Sequence, residues 1–69
     1  MLNPQLVERI AIDSAVMAGK PVIQGTRLTV EYILGLLANG ATVDEILSEY
    51  DGLTIDDISA CMAWEILRK

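Results

Sequence analysis

The stretch GKPVIQGTRLTV, residues 19–30, decides the fold, because it compresses a loop, a short strand and a helix start into twelve residues. Pro21 has a fixed φ and pushes the preceding Lys20 into an extended conformation, which predicts a turn. The β-branched pair Val22–Ile23 favours a strand, and Gly25 marks a second turn. A turn is therefore expected on each side of this short strand.

The second half of the stretch leads into a helix. Residues 27–29 can run extended as one short strand, and Thr29 can cap a helix that begins at Val30. Lys20 and Arg27 stand beside glycines, as the cation of a phosphate-binding loop does. A P-loop, however, requires Gly-x-x-x-x-Gly-Lys followed by Ser or Thr, and this spacing is absent. The glycines are therefore interpreted as turn residues, and both cations as solvated or ion-paired.

The composition indicates one small acidic domain over residues 1–69, with a strand and loop segment at 1–29 and a helical part at 30–67. The apolar fraction is 52% and the net charge is −5. A chain this short buries only about 60% of its unfolded surface, so a homodimer is expected to add burial. With no His and one Cys, the residues exclude Ser-His or Cys-His catalysis, His-ligated zinc and an internal disulfide.

No segment has the pattern of a signal peptide or the ~20 apolar residues of a membrane span, which predicts a cytoplasmic protein. No cofactor is expected. The charge is uneven along the chain: residues 1–29 carry three cations and two acids, and residues 30–67 carry eight acids without any Lys or Arg. The helical part thus has the sign opposite to that of a DNA-binding surface.

The residues before the stretch leave two interpretations open. Leu6–Ile12 has the pattern of a strand, with Ile10 and Ile12 on one face. A short helix over Pro4–Arg9, with Asn3 as its cap, is the alternative for the first half.

Apolar residues recur at helical spacing after the stretch and predict three helices: Val30–Asn39, a second from residue 43 to about 50, and Ile55 to about Leu67. Gly35 inside the first helix suggests that a neighbouring backbone approaches closely. The turn at residues 51–54 joins two helices and contains a glycine, which is typical of a helix-turn-helix.

Acids occupy the first turns of the second and third helices. Thr42 and Glu45 form a capping box, and Thr54 and Asp57 repeat it with a shorter acid. Carboxylates in these positions also fit the positive end of the helix dipole. Capping is therefore the main interpretation of Asp44, Glu45, Asp56 and Asp57.

The third helix has two apolar faces. One stripe consists of Ile55, Ile58, Met62 and Ile66. Trp64 lies nearly opposite, with Ala60, Cys61 and Leu67 around it. A helix that is apolar on both sides is buried on both sides. Either a second copy or partner, or the N-terminal strand of the same chain, is expected to cover the second face.

Several short motifs together resemble a known family. They are RI at 9–10, Asp13, GKPVI at 19–23, GTRL at 25–28, EIL at 45–47 with Tyr50, LT at 53–54 and DI at 57–58. Over residues 9–66 the chain resembles the short prokaryotic family catalogued as domain of unknown function 433. The resemblance implies a mostly α fold with short N-terminal β, namely a three-helix, helix-turn-helix-like (homeodomain- or winged-helix-like) domain preceded by one or two short strands, and usually a dimer.

The resemblance further implies an antitoxin of a type II toxin–antitoxin pair, whose partner is a PIN-like nuclease toxin, and it supplies no catalytic residues. A nuclease binds a polyanion through a surface that carries cations. Acidic helices complement that surface, and charge complementarity speeds the encounter of the two proteins. The predicted partner-binding residues are Asp44, Glu45, Glu49, Asp56, Asp57 and, as an apolar anchor, Trp64. Their simpler interpretation is capping, a solvated face and core packing.

DNA binding is the alternative function. A recognition helix that begins near Thr54 would bring Asp56 and Asp57 towards phosphates, which argues against conventional docking. Cations could instead cluster on another face of a dimer that binds operator DNA. The predicted DNA-binding residues are Arg9, Lys20, Arg27, Arg68 and Lys69.

An enzyme is the least favoured function. Glu45 and Glu49 lie one helical turn apart and could share a metal or a proton, but no further residue is spaced to complete such a site. Cys61 has no His to activate it, which favours an inert packed thiol. The sequence therefore predicts a non-enzymatic binding module.

Overall fold

Three helices pack against a two-stranded antiparallel sheet in the computed structural model, which describes residues 4–67. This confirms the mostly helical fold with short N-terminal strands. In chain order the elements are an N-terminal 3-10 helix at Pro4–Arg9, strand β1 at Ile10–Ala11, a second 3-10 helix at Met17–Gly19, strand β2 at Val22–Ile23, and helices α1 at Val30–Ala38, α2 at Val43–Glu49 and α3 at Ile55–Leu67. None of the helices described is long and apolar enough to cross a membrane.

The turns predicted on both sides of β2 are present. Gly19 has a φ of 80°, in the left-handed region, and Lys20 is extended. After the strand, the Thr26 amide donates a hydrogen bond to the Ile23 carbonyl at 2.9 Å, and Gly25 has a φ of 82°. These two glycines therefore act as turn residues, as the sequence indicates.

The extended segment predicted at residues 27–29 is reduced to a single antiparallel bridge between Thr29 and Val22. The Ile23 amide also donates to the Leu28 carbonyl at 2.9 Å. The Thr29 hydroxyl accepts a hydrogen bond from the Tyr32 amide at 3.0 Å, which confirms the predicted cap of α1.

The strand predicted at Leu6–Ile12 is wrong in its first half, and the helical alternative is confirmed there. β1 pairs with β2 only at Ile10↔Ile23 and Ala11↔Val22. The ladder is short because β2 itself is bounded by Pro21, which lacks an amide donor, and by the turn at Gly25. Ile12 is 59% exposed and does not share the buried position of Ile10. The predicted cap Asn3 lies outside the described residues.

The close backbone approach predicted at Gly35 is also wrong. A Cβ atom placed there would meet no atom of another element within 4 Å. α1 ends at Ala38, with Asn39 as its C-cap, and Gly40 follows with a φ of 98°. Gly40 therefore acts as the predicted helix-ending glycine, whereas no other element of the described residues approaches Gly35 closely.

The core lies between the sheet and the three helices. Its buried members are Ile10, Ile23, Val30, Ile33, Ile46, Leu53, Ile58, Ala60 and Cys61. The N-terminal 3-10 helix, β1, α1 and α2 all contact α3. Residues of the same chain, including the N-terminal segment, therefore cover one face of α3.

The predicted stripe of Ile55, Ile58, Met62 and Ile66 is the face of α3 that the single chain leaves largely exposed. Ile58 is buried, but Ile55 is 62% exposed, Met62 42% and Ile66 57%. Ile58 lies about 60° from Ile55 around the helix axis, and this rotation is enough to move it into the core.

Candidate functional site

Arg9 contacts the two acids that begin α3. Its Nη1 atom lies 3.2 Å from Oδ1 of Asp57, and its Nη2 atom lies 3.6 Å from Oδ2 of Asp56. The Asp57 side chain is only 10% exposed. A cation predicted to bind DNA and two acids predicted to bind a partner therefore neutralise one another within the chain.

Asp57 also caps α3. Its Oδ2 atom accepts a hydrogen bond from the Thr54 amide at 3.1 Å, and its own amide donates to the Thr54 hydroxyl at 3.3 Å. This reciprocal pair is the predicted capping box with Asp in place of Glu. The carboxylate of Asp57 thus has one oxygen on the helix cap and the other on Arg9.

Lys20 is held by an ion pair with α1. Its Nζ atom lies 2.8 Å from Oε1 of Glu31, and this hydrogen bond lowers the pKa of the Glu31 carboxyl below its usual value. The two side chains stand at one end of a cleft of about 380 Å³ that also exposes part of Trp64. The sequence leaves open whether Lys20 and Arg27 are solvated or ion-paired. For Lys20 the ion-paired alternative is confirmed.

Arg27 is the cation that differs from these two. It lies in the exposed turn between β2 and α1, and within residues 4–67 it is the cation without an ion pair. Arg68 and Lys69 lie outside the described residues.

The acids of α2 are exposed. Oε1 of Glu45 accepts a hydrogen bond from the Thr42 amide at 2.8 Å, and the Thr42 hydroxyl accepts from the Glu45 amide at 3.1 Å, which confirms the capping box. The bonds from Thr42 lower the pKa of Glu45. Asp44 and Glu49 form no ion pair with the cations described at positions 9, 20 and 27.

A shallow apolar groove of about 300 Å³ runs beside these acids. Its lining consists of Leu36, Ala41, Glu45, Ile46, Glu49 and Tyr50. The floor is thus aliphatic and one wall carries two carboxylates from consecutive turns of α2.

Tyr32 and Tyr50 form a contact that the sequence does not predict. Their hydroxyls are 2.6 Å apart, and their rings meet edge to face with centroids 6.2 Å apart. The hydrogen bond to Tyr32 is the main reason why the pKa of Tyr50 is raised above 10.0. Tyr32 lies on α1 and Tyr50 is the C-cap of α2, 18 positions away, so no local spacing predicts the pair.

Trp64 and Cys61 both belong to the packed side of α3. Trp64 is half-buried and packs against the core, while Cys61 is fully buried. Burial, and then the charge of Asp57, raises the pKa of the Cys61 thiol to about 11. Across residues 4–67, no group of three or more Cys, Asp or Glu side chains is arranged to hold a metal ion.

A family model described as "Protein of unknown function (DUF433)" matches residues 10–64. The chain belongs to the DUF433 family. It is 31% identical to a DUF433 member protein from Anabaena variabilis whose crystal structure is known. That match has a TM-score of 0.75 and covers 97% of this chain and 75% of the other. No curated protein matches the chain.

The predicted site residues of this DUF433 protein fall into three groups. Arg9, Lys20, Asp56 and Asp57 take part in ion pairs within the chain. The α2 acids Asp44, Glu45 and Glu49 are all exposed. Trp64 packs partly into the core. The predicted acidic residues therefore differ in their pairing: Asp56 and Asp57 are ion-paired with Arg9, and the acids of α2 form no ion pair with the described cations.

Proposed function

We propose that this DUF433 protein is a non-enzymatic binding module, an antitoxin that holds a PIN-like nuclease toxin in the cytoplasm through the acidic surface of α2. The observation that carries the proposal is the set of α2 carboxylates that form no ion pair with the described cations at positions 9, 20 and 27. Residues 30–67 contain no Lys or Arg, and the described cations at positions 9 and 20 are paired with other acids.

The apolar groove beside α2 supports a protein partner over a small ion. Leu36 and Ile46 offer an aliphatic floor, and Glu45 and Glu49 offer charge at its wall. A partner that presents an apolar side chain flanked by Lys or Arg satisfies both features. A nuclease carries such cations where it handles a polyanion, and opposite potentials steer the two surfaces together.

Binding to operator DNA is the second candidate. Arg27 favours it, because it is exposed and forms no ion pair with the acids in residues 4–67. Asp56 in the first turn of α3 weighs against it, since phosphates would face a carboxylate. If the chain binds promoter DNA, Arg27→Ala should weaken binding and flatten its salt dependence, and unchanged values would remove this candidate.

The antitoxin proposal is tested by isolating a tagged copy from the native host after nuclease treatment, with bound proteins identified by mass spectrometry. Recovery of one PIN-like nuclease at equal stoichiometry supports it. The double variant Asp44→Lys/Glu49→Lys should lose that nuclease.

Glu8→Lys is the matched control, because Glu8 is an exposed acid that belongs to the N-terminal 3-10 helix and not to α2. The control should retain the nuclease. Recovery of no nuclease by the unaltered protein, or equal loss with Glu8→Lys and with the α2 variant, would overturn the proposal.

A further inference from the structure

The cleft of about 380 Å³ that contains Lys20 and Glu31, called the Trp64 cleft below, is lined by the loop before β2, the first turns of α1 and the end of α3. Leu34 and the half-buried ring of Trp64 form apolar walls, and Glu65 adds a second carboxylate. Its volume lies within the range of small-ligand sites, and apolar walls with a few polar groups are typical of such sites.

Charge in the Trp64 cleft favours a cationic ligand. Two carboxylates, from Glu31 and Glu65, and the ammonium of Lys20 line it. That ammonium already lies 2.8 Å from Oε1 of Glu31, and the helical part that supplies the remaining walls, residues 30–67, contains no Lys or Arg. An anionic ligand would therefore meet two carboxylates and a paired ammonium, whereas a cationic ligand meets attractive groups.

Trp64 narrows the class of cation. The face of an aromatic ring attracts a cation placed over it, and Trp does so more strongly than Tyr or Phe. A guanidinium is planar, so it can stack on the indole and also donate two parallel hydrogen bonds to one carboxylate. A compact, strongly hydrated ammonium does neither as well. A ring and a carboxylate that line one cleft therefore suit a guanidinium.

We propose that the Trp64 cleft binds a guanidinium group carried on an aliphatic stem, which is the chemistry of an arginine side chain. The guanidinium stacks on Trp64 and donates to the carboxylate of Glu31, while the stem packs against Leu34. The source is a free guanidino compound or an arginine of another protein chain, and both present this chemistry.

Lys20 competes with the ligand for Glu31. The two side chains are 55% and 70% exposed, and ion pairs as exposed as this one contribute little to stability. A guanidinium can therefore replace the ammonium on Glu31, after which Lys20 returns to solvent. Removal of the Lys20 charge should consequently strengthen binding.

The first test uses the fluorescence of Trp64, which is the single tryptophan of the chain. The full chain is titrated with Nα-acetyl-arginine methylamide at millimolar concentration and low salt, and we expect a saturable change in emission. The citrulline derivative has a neutral urea in place of the guanidinium and should bind at least about tenfold more weakly. No saturable change with the arginine probe, or equal affinity for the two probes, would overturn the proposal.

Two carboxyl variants separate the site from the overall charge of the protein. Glu31→Gln should weaken binding of the arginine probe about tenfold, because a charge-assisted hydrogen bond is lost. Glu8→Gln changes the net charge equally, but Glu8 does not line the cleft, so this control should bind like the unaltered chain. Both side chains are exposed, and circular dichroism should show unchanged helix content. Equal affinities of the two variants contradict the role of Glu31.

A second pair of variants tests the competition by Lys20. Lys20→Met keeps an aliphatic stem without the charge and should strengthen binding about threefold. Gln24→Glu makes the protein more acidic by the same one unit, at an exposed position outside the cleft, and should leave the affinity unchanged. Weaker binding by Lys20→Met, or an equal gain in both variants, would show that Lys20 does not compete at this site.

Titration with agmatine, a free guanidino compound, distinguishes the two sources. Tighter binding of agmatine assigns the site to a free molecule, and tighter binding of the peptide-like probe assigns it to a protein chain. Either result supports a guanidinium site, and failure of both probes removes it. The inference does not rest on toxin binding, because the α2 acids do not line the Trp64 cleft and these titrations use the isolated chain.

Discussion

The guanidinium of Arg9 lies 3.2 Å from the carboxylate of Asp57, and this contact joins residues that are 48 positions apart. This ion pair connects the N-terminal 3-10 helix to the start of α3. The same carboxylate closes the capping box with Thr54. One side chain thus serves both a local helix cap and a long-range contact.

We expect Asp57→Ala to lower the free energy of unfolding by about 2 kcal/mol, because it removes a cap and leaves Arg9 without its main partner. Urea unfolding of Arg9→Met, Asp57→Ala and the double variant measures the coupling, which we expect to be about 1 kcal/mol. The exposed pair Lys20–Glu31 is the comparison, and its coupling should not exceed about 0.5 kcal/mol. Equal couplings for both pairs would contradict the special role of Asp57.

Glu45 is expected to make stability sensitive to acid. Its hydrogen bonds to Thr42 lower its pKa in the folded state below 4.5. Its contribution is therefore complete above the unfolded-state pKa and is lost as the pH falls through the lower, folded-state value. Glu45→Gln keeps a hydrogen-bond acceptor but cannot titrate, so the variant should lose less stability between about pH 6 and about pH 3.

Unfolding of both proteins in urea at the two pH values measures this difference. Glu49→Gln is the control, because Glu49 lies on the same helix without a capping hydrogen bond. A loss of acid sensitivity in the control, and not in Glu45→Gln, would contradict the assignment.

Two glycines should respond to alanine in opposite directions. Gly35→Ala is expected to stabilise the protein by about 1 kcal/mol, because the residue lies inside α1 and a Cβ would meet no neighbour. Gly40→Ala should destabilise by about 1 kcal/mol, because the φ of Gly40 is 98°. Thermal unfolding of the two variants compares them directly. A destabilised Gly35→Ala variant would show that a surface outside this chain approaches Gly35.

Cys61 should react slowly with thiol reagents. Its pKa of about 11 is about two units above the ordinary thiol value of 9.0, so the reactive thiolate is about a hundredfold scarcer at neutral pH. Labelling in buffer should therefore be at least about a hundredfold slower than labelling in denaturant. Fast labelling of the folded chain would mean that the core around α3 opens readily.

Local hydrogen bonds were the part of the fold that the sequence predicted well. The caps at Thr29, Thr42 and Thr54 each join residues three positions apart, so the pattern contains both partners. The turns at Gly19 and Gly25 follow for the same reason, since Pro and Gly restrict or free the backbone where they stand.

The limits of the sequence are clearest at Leu6–Ile12. Alternating apolar residues favour a strand there, but a strand extends only as far as its partner does. β2 has two residues, so β1 has two residues. Similarly, no local pattern predicts that Arg9 lies beside Asp57, because the two residues are 48 positions apart.

The sequence by itself determined the three helices, their caps and the turns around β2, because each depends on residues that are only a few positions apart. The absence of Lys and Arg from residues 30–67 is likewise read directly from the sequence. Only the tertiary structure decided which cations are neutralised, which tyrosines meet and which side of α3 remains apolar and exposed. These features depend on contacts between segments up to 48 positions apart, and such contacts form only when the helices pack around the shared core.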